Sequence, residues 1–198
     1  SNSTQWGVYY TANGQNTNWM RLNTTDEQGN NEASGGIAGN AYVRYTDSVV
    51  EIDHSAFAAE GTAGIGYIWH SVPGLQKFGT YEGTGVAGNY VHLGFRPALI
   101  WIKNIDNTSI NNWGIIDSTR SYANPGNHTL ATNLNNPESY FGDGSSVYGS
   151  SNKIDLVSDG FVLRETSGFG NTSGITFLYC AWAETPALNL FGAQSNAR

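Results

Sequence analysis

Charged residues, lysine above all, are scarce in this 198-residue sequence. Asp, Glu, Lys and Arg make up 13% of it, which is about half of the usual share. The lysines, at positions 77, 103 and 153, lie far apart, and the net charge is −7. Because contacts to a phosphate backbone need clustered Lys and Arg, we expect no nucleic-acid partner.

Cysteine and long apolar runs are scarce as well. Cys180 is the one cysteine, which excludes an intrachain disulfide and therefore a disulfide-stabilised small domain. It lies in the apolar run 175–182, so we expect it to pack as a small hydrophobic side chain. No stretch approaches the ~18 apolar residues of a membrane-spanning helix, and we expect no membrane insertion.

Recognisable catalytic and metal-binding motifs are absent too. The histidines, at positions 54, 70, 92 and 128, show no zinc spacing. The sequence has no nucleophile elbow, phosphate-binding loop or zinc-protease motif. Gly83–Gly88 matches the dinucleotide fingerprint loosely, but no helical pattern follows it, so we interpret it as a hairpin turn. We therefore expect no cofactor and no metal.

The residues that are abundant indicate β-structure. The 25 glycines interrupt every window in which a helical apolar period could develop. Short β-branched or aromatic runs are separated instead by clusters of Gly, Asn, Asp and Ser. These runs predict strands near 5–10, 18–22, 41–46, 48–53, 63–70, 76–82, 89–93, 97–104, 112–117, 128–134, 152–157, 160–165 and 174–183. The pattern predicts an all-β fold, an antiparallel β-sandwich of the jelly-roll or concanavalin-like kind.

Three features refine this prediction. Residues 97–104 are almost continuously apolar, which favours a central strand covered on both faces, with Pro97 at its start. Residues 158–160 predict a tight hairpin in which Gly160 supplies a positive φ. The long Asn-, Gly- and Ser-rich loops 23–40 and 133–151 are either binding loops or solvated connections.

The sequence also echoes itself, with offsets of 107, 104 and 113 residues. The echoes are Trp6–Tyr9 with Trp113–Ile116, Val50–Ile52 with Ile154–Leu156, and Trp69–Gly79 with Trp182–Gly192. Self-similarity of this kind indicates a duplicated unit. It predicts a partial module at 1–75, a complete module at 76–192 and a tail at 193–198. The partial module would merge with the complete one into a single sandwich over 1–198, borrow strands from a neighbouring subunit, or belong to a longer repeat protein.

The aromatic residues fall into two groups. Those inside apolar strand patterns are predicted to be core: Trp6, Trp69, Trp101, Trp113 and Trp182. Those with polar neighbours are candidates for stacking on a sugar: Trp19, Tyr122, Tyr140 and Tyr148. An exposed ring can do this because it offers apolar area beside polar groups. Alternatively, these rings pin loops to the sandwich.

Asp117 and Arg120 are the polar candidates for the same sugar contact. Three residues apart after a strand, they also predict a local ion pair or an Asx-type turn. The acidic residues Glu51, Asp53 and Asp159 could, with Asp117, supply the carboxylate pair of a glycoside hydrolase. Paired acidic residues such as Glu51 and Asp53 could instead bind Ca²⁺. A solvated strand face is favoured over both of these roles.

Several spaced pieces carry a family resemblance. They are Trp69–Gly74, Lys77–Gly85, Gly94–Lys103, Asn112–Trp113 with Asp117 and Arg120, Asp159–Phe161, Ala181–Pro186 and Asn196–Arg198. Together they resemble a module of tail-fibre and other virion proteins of tailed bacteriophages, of the marine and cyanobacterial type. The resemblance implies a lectin-like β-sandwich on the virion exterior, in a tail fibre or spike, among other virion proteins and as a homo-oligomer, with a trimer favoured. It brings no established catalytic residues.

Composition independently favours contact with neutral polysaccharide, because a low-charge Asn/Ser/Thr/Gly surface binds through hydrogen bonds and ring stacking. The sequence thus predicts a non-enzymatic virion structural and adhesion module that binds a host cell-surface polysaccharide. A purely structural virion protein, such as a decoration or fibre-shaft piece, is the alternative. A polysaccharide depolymerase is the third hypothesis.

Overall fold

A computed structural model describes residues 6–10, 18–24, 29–30, 43–45, 50–52, 65–106, 112–120, 123–135, 138–140, 154–166 and 170–185. These residues form strands and connections and contain no helix, and every strand pairing is antiparallel. The prediction of an all-β antiparallel fold is therefore confirmed. In this part of the chain no helix is long and apolar enough to cross a bilayer.

The strands follow the predicted runs closely. They are β1 (Gly7–Tyr9), β2 (Asn18–Arg21), β3 (Gly29–Asn30), β4 (Val43–Tyr45), β5 (Val50–Ile52), β6 (Gln76–Glu82), β7 (Asn89–His92), β8 (Pro97–Asn104), β9 (Gly114–Asp117), β10 (His128–Ala131), β11 (Ser139–Tyr140), β12 (Ile154–Val157), β13 (Gly160–Leu163) and β14 (Thr176–Ala183). The two-residue strands β3 and β11 lie inside the predicted long loops. They were not predicted, because the sequence has no apolar run at either place.

The larger layer is a six-stranded sheet in the order β11-β10-β9-β8-β14-β6. Its centre is formed by β8 and β14, which pair along nearly their whole length. Pro97 opens β8, as expected, where its missing N–H is tolerated at a strand start. The apolar run 97–104 thus occupies the interior position that its composition predicts.

The second layer is the three-stranded sheet β12-β13-β7, which packs on one face of the larger sheet. The core between the layers combines Ile100, Ile102, Ile116, Phe177, Tyr179 and Ala181 from the larger sheet with Val91, Leu93, Phe95, Ile154, Leu156, Phe161 and Leu163 from the smaller one and the segment after it. Alternate residues of each strand face this core. The architecture is a two-layer β-sandwich, whereas jelly-roll or concanavalin-like connectivity stays a prediction.

A small sheet, β1-β2-β3, contacts the opposite side of the larger sheet. Met20 of β2 is fully buried against Ile105, Trp113 and Leu178. The Trp113 indole nitrogen donates a hydrogen bond to the Arg21 carbonyl oxygen at 3.0 Å. The N-terminal strands are therefore anchored to the complete module by a second, smaller apolar cluster.

The tryptophan predictions are correct only in part. Trp113 is buried, and Trp101 and Trp182 are half-buried with their rings in edge contact at 5.6 Å. Trp6 and Trp69 are mostly exposed, so their assignment to the core is wrong. Trp6 precedes an edge strand, and Trp69 lies in 65–70, which forms no strand although one was predicted. In both places the apolar pattern is present, but no second layer formed by the described residues covers it.

Two glycine interpretations also need correction. Gly83–Gly88 connects β6 to β7, which belong to different sheets, so it crosses between the layers and is not a hairpin turn. The hairpin at 158–160 forms as predicted, but Gly160 does not have a positive φ. A Cβ there would collide with the Val91 carbonyl oxygen of the neighbouring strand, so close strand approach requires the glycine.

Polar groups cover part of two sheet edges. Along β12, the Asn124 side chain donates to the Leu156 carbonyl at 3.0 Å and accepts from its N–H at 2.9 Å. At the start of β6, the Ser71 hydroxyl accepts from the Phe78 N–H at 3.1 Å, and Val72 bridges to Gln76. These groups occupy ladder positions that another strand would otherwise use.

The predicted division into a partial module at 1–75 and a complete module at 76–192 stays a prediction. Both members of the Trp6 and Trp113 echo directly precede a strand, β1 and β9. Both members of the Val50 and Ile154 echo lie in strands, β5 and β12. In the third echo, Trp182 lies in the interior strand β14 and Trp69 lies outside any strand.

Candidate functional site

The four aromatic residues predicted to stack on sugar are placed only in part. Tyr122 and Tyr148 lie outside the described residues. Trp19 lies in β2 opposite Tyr9 and Gly29, and Tyr140 lies in β11 opposite His128. Their side chains are not among the described ones. Their proposed contact with sugar stays a prediction.

Asp117 and Arg120 form the predicted local motif at the end of β9. Asp117 Oδ1 accepts hydrogen bonds from the Arg120 and Thr119 N–H groups at 2.7 and 3.0 Å. Its Oδ2 pairs with the Arg120 guanidinium, whose Nε lies at 2.5 Å. This is both an Asx-type turn and an ion pair.

The electrostatics of Asp117 follow from these contacts. Partial burial alone would raise the pKa of this carboxyl, but the hydrogen bonds and charge of Arg120 and the Thr119 N–H outweigh it. The pKa of Asp117 is therefore lowered below its ordinary value of 3.8. A carboxylate held ionised in this way braces the turn and is poorly suited to donate a proton.

The remaining acidic candidates are placed only in part. Glu51 lies in β5 opposite Arg44, and Asp53 and His54 lie outside the described residues. Asp159 lies in the turn between β12 and β13. Within the described residues, no group of three or more His, Cys, Asp or Glu side chains is arranged to hold a metal ion.

An exposed cluster on the smaller sheet was not predicted. Along β7, Val91 points into the core, so the two-residue period of a strand turns Tyr90 and His92 outward together. The register pairs His92 with Gly160, which brings the adjoining turn residue Asp159 beside them. We call Tyr90, His92 and Asp159 the Tyr90 cluster.

The Tyr90 cluster combines a ring with several hydrogen-bonding groups. The Tyr90 hydroxyl lies 3.1 Å from His92 Nδ1 and 3.5 Å from the Asp159 carbonyl oxygen. His92 Nδ1 lies 3.9 Å from Asp159 Oδ2. Partial desolvation, then the Asp159 carboxylate, raises the pKa of Tyr90, so its hydroxyl stays protonated in neutral solution. The cluster therefore offers a neutral aromatic face edged by donors and acceptors.

The base of the cluster is supported from two sides. Lys77 Nζ donates to the His92 carbonyl oxygen at 2.8 Å. Asn89, at the start of the same strand, donates to the Asn171 side-chain oxygen at 2.9 Å and to the Glu82 carbonyl at 3.0 Å. Asn171 is fully buried. The strand that carries Tyr90 and His92 is thus fixed at both ends.

The sequence does contain a signal for this cluster. Tyr90 and His92 flank the apolar Val91, and this alternation marks their side chains as solvent-facing on a half-buried strand. The predicted hairpin at 158–160 identifies Asp159 as a turn residue. What the sequence does not contain is the pairing of β7 with β13, which joins segments about 70 residues apart.

A second exposed apolar feature lies just before β6. Residues 65–69 include four large apolar side chains that are all exposed: Ile65, Tyr67, Ile68 and Trp69. The Tyr67 and Trp69 rings are stacked, with centroids 6.0 Å apart. We call this segment the 65–69 ridge. Unlike the Tyr90 cluster, it shows no hydrogen-bonding partner around its rings within the described residues.

Comparison with known proteins identifies a family. Residues 1–186 match a family described as a domain of unknown function, DUF7483. The chain belongs to the DUF7483 family. The match spans both sheets of the sandwich, the Tyr90 cluster and the 65–69 ridge, so all of these are features of a DUF7483 chain. No curated protein and no solved structure matches it.

Proposed function

We propose that this DUF7483 chain is a non-catalytic glycan-binding module and that the Tyr90 cluster contacts the sugar. The observation that supports this most is Tyr90, a tyrosine that is 46% exposed and whose hydroxyl lies 3.1 Å from His92 Nδ1, beside Asp159 on a strand that is held at both ends. A pyranose ring needs an apolar face for its C–H groups and polar groups at its rim. The cluster supplies both.

The weak charge of the chain supports a neutral or weakly charged glycan over an anionic polymer. Charged residues make up 13% of the sequence and its net charge is −7, so long-range attraction to polyanions is absent. One tyrosine ring and its rim give weak affinity per site. Several copies held together raise the overall affinity without new contacts.

The proposed location is a virion exterior, in a tail fibre or spike, with a host cell-surface polysaccharide and other virion proteins as partners. This part of the proposal is supported by the resemblance of residues 69–103 to tail-fibre modules. A purely structural virion role is the second candidate, and the exposed apolar 65–69 ridge favours it, since such surfaces mark protein contacts. The two roles are compatible in one chain.

Glycan-array and whole-cell binding by the 198-residue chain, displayed multivalently, tests the proposal. Tyr90→Ala removes the ring and is expected to weaken binding at least tenfold, or about 1.4 kcal/mol. Tyr90→Phe keeps the ring and is expected to lose only about threefold. Trp6→Ala is the matched control, because it deletes another exposed ring outside the cluster.

The outcomes separate the hypotheses. Binding that resists Tyr90→Ala but is lost in Trp19→Ala or Tyr140→Ala would move the site to the originally predicted aromatic residues. No binding by any multivalent form, together with incorporation into a particle, would favour the purely structural role. Release of reducing ends from a bound polysaccharide, abolished by Asp117→Asn or Asp159→Asn, would favour a depolymerase instead.

A further inference from the structure

We infer that the Tyr90 cluster selects glycans that carry a protonated amino group, such as an amino sugar whose nitrogen is not acetylated. This inference rests on the proposed glycan binding and names the class of sugar that the same site prefers. It is carried by the side chain of Asp159, which is 56% exposed beside the 46% exposed Tyr90. A carboxylate next to an aromatic face attracts a cation both by its charge and through the ring.

The Asp159 carboxylate has no lysine or arginine partner in the part of the chain that the structure describes. Its one charged neighbour there is His92, whose Nδ1 lies 3.9 Å from Asp159 Oδ2. Three other described carboxylates are each paired with an arginine: Asp117 with Arg120, Asp155 with Arg164, and Glu184 with Arg96. A ligand cation that approaches Asp159 therefore does not have to displace a lysine or an arginine.

The pairing of β7 with β13 places the Tyr90 ring next to this carboxylate. A Cβ at Gly160 would lie 3.0 Å from Tyr90 Cε2, so the ring lies over the residue that directly follows Asp159. The Tyr90 hydroxyl lies 3.5 Å from the Asp159 carbonyl oxygen. Because an aromatic ring attracts an ammonium group over its face, a sugar amine at Tyr90 meets the ring and the carboxylate together.

The charges around the cluster favour an amine over the other common substituents of sugars. Lys77 contacts the same strand, but its ammonium group donates to the His92 carbonyl oxygen at 2.8 Å and does not pair with Asp159. The net charge of −7 adds a weak attraction for cations. Asp159 would repel a carboxylate or sulfate on the ligand, and an N-acetyl group offers it only a hydrogen bond. An ammonium group is therefore the substituent that this site rewards most.

Binding of matched oligosaccharides to the multivalently displayed 198-residue chain tests the inference. The probes are oligomers of glucosamine and of galactosamine and their N-acetylated counterparts, so that each pair differs only in acetylation. Near pH 7 an amine of the α-amino type is mostly protonated, whereas a free imidazole is mostly neutral. The wild type is expected to bind the amine form roughly fivefold to tenfold more tightly, because an exposed ion pair and an exposed cation–π contact each contribute severalfold. This preference should shrink in about 1 M salt.

Asp159→Asn removes the carboxylate but keeps the size and the turn preference of the side chain. It is expected to abolish the preference for the amine form while the N-acetylated form still binds. Glu184→Gln is the matched control, because it removes the same charge from an exposed site outside the cluster, and it should keep the preference.

The outcomes separate this inference from the proposal on which it rests. Equal binding of the amine and N-acetylated forms by the wild type would overturn the inference and leave glycan binding intact. A preference that survives Asp159→Asn, or that Glu184→Gln removes equally, would also overturn it. So would equally tight binding of an oligolysine peptide, because charge alone would then decide. Absence of binding to any glycan would instead overturn the proposed function, and this inference with it.

Discussion

The side-chain oxygen of Asn171 accepts a hydrogen bond from the side-chain nitrogen of Asn89 at 2.9 Å. The same oxygen accepts the Thr84 N–H at 3.0 Å, and the Asn171 side-chain nitrogen donates to the carbonyls of Val86 and Glu165. One fully buried amide thereby fixes the connection between β6 and β7. Because β7 carries Tyr90, the geometry of the proposed sugar contact depends on this amide.

Replacing Asn171 is expected to destabilise the chain strongly. Asn171→Ala leaves several buried donors and acceptors unpaired, at a cost of about 3 kcal/mol. This corresponds to a fall in Tm of roughly 6–12 °C for a chain of this size. Asn171→Asp should be at least as harmful, because an anionic oxygen then faces the Val86 and Glu165 carbonyls.

Thermal and urea unfolding measure the effect, and Asn23→Ala is the control. Asn23 accepts one exposed hydrogen bond from the Trp6 N–H, so its loss should cost under about 1 kcal/mol. Equal effects of the Asn171 and Asn23 substitutions would contradict the role assigned to the buried amide. The burial of Asn171 also predicts that its Asn-Thr-Ser sequon is not modified in the folded chain.

Asp117 is expected to stabilise the fold only above acidic pH. The pKa of Asp117 is lower in the folded state than in the unfolded state, where it is near 3.8. Its contribution to the free energy of unfolding is therefore fully present above the unfolded-state pKa and is lost as the pH falls through the lower folded-state pKa. Asp117→Asn should therefore cost about 1 kcal/mol at pH 7. The difference from wild type should shrink as the pH drops below about 4.

Urea unfolding of both chains from pH 7 to pH 2.5 checks this. Glu184→Gln is the control, since Glu184 pairs with Arg96 at a surface where both side chains are nearly half exposed. Such a pair contributes about 0–1 kcal/mol. A cost of Asp117→Asn that stayed constant across the pH range would argue that geometry, and not charge, is what the turn requires.

A methyl group at Gly160 is expected to break the pairing of β13 with β7. The new Cβ would overlap the Val91 carbonyl oxygen and approach the Tyr90 ring at 3.0 Å. Gly160→Ala should cost roughly 2–3 kcal/mol because the strands must separate. Gly66→Ala, where a Cβ meets nothing within 4 Å, should be nearly neutral.

Calorimetry compares the two alanine variants. Glycan binding gives a second readout, since the pairing displaced by Gly160→Ala is the one that aligns His92 with the turn containing Asp159. A stable Gly160→Ala chain with unchanged binding would mean that this strand pair tolerates an added methyl group, against the contact geometry.

Cys180 is partly buried in β14 and is expected to react slowly while the chain is folded. Burial raises the pKa of its thiol to about 12. At pH 8 the thiolate is then scarcer than in a free cysteine by a factor of roughly a thousand. Reaction with a disulfide reagent should be slow in buffer and fast in denaturant. Rapid labelling of the folded chain would contradict the packing of β14.

The sequence predicts the strands better than it predicts their environment. The bounds of β6 and β8 coincide with the predicted 76–82 and 97–104, because Gly83 and Pro97 punctuate the apolar runs. Trp69 and Trp182 have similar neighbours in sequence, yet only Trp182 lies in a strand. Whether a strand-like run is covered depends on which segment lies beside it, and local pattern does not encode that.

In the candidate site too, contacts between residues close in sequence could be predicted, and contacts between distant residues could not. The turn of Asp117 and Arg120 involves residues three apart, so its local ion pair could be predicted. The Tyr90 cluster depends on the contact between Tyr90 and Asp159, which are 69 residues apart. Its residues could be recognised singly as solvent-facing, but only the register of β7 on β13 shows that they meet.

The Asn124 side chain along β12 limits the addition of a further strand to this sheet edge. By occupying both main-chain groups of Leu156, it leaves no place there for an incoming strand. Ser71 acts similarly at the start of β6. At these positions, another copy could extend the sheet only after displacing the side-chain hydrogen bonds of Asn124 and Ser71.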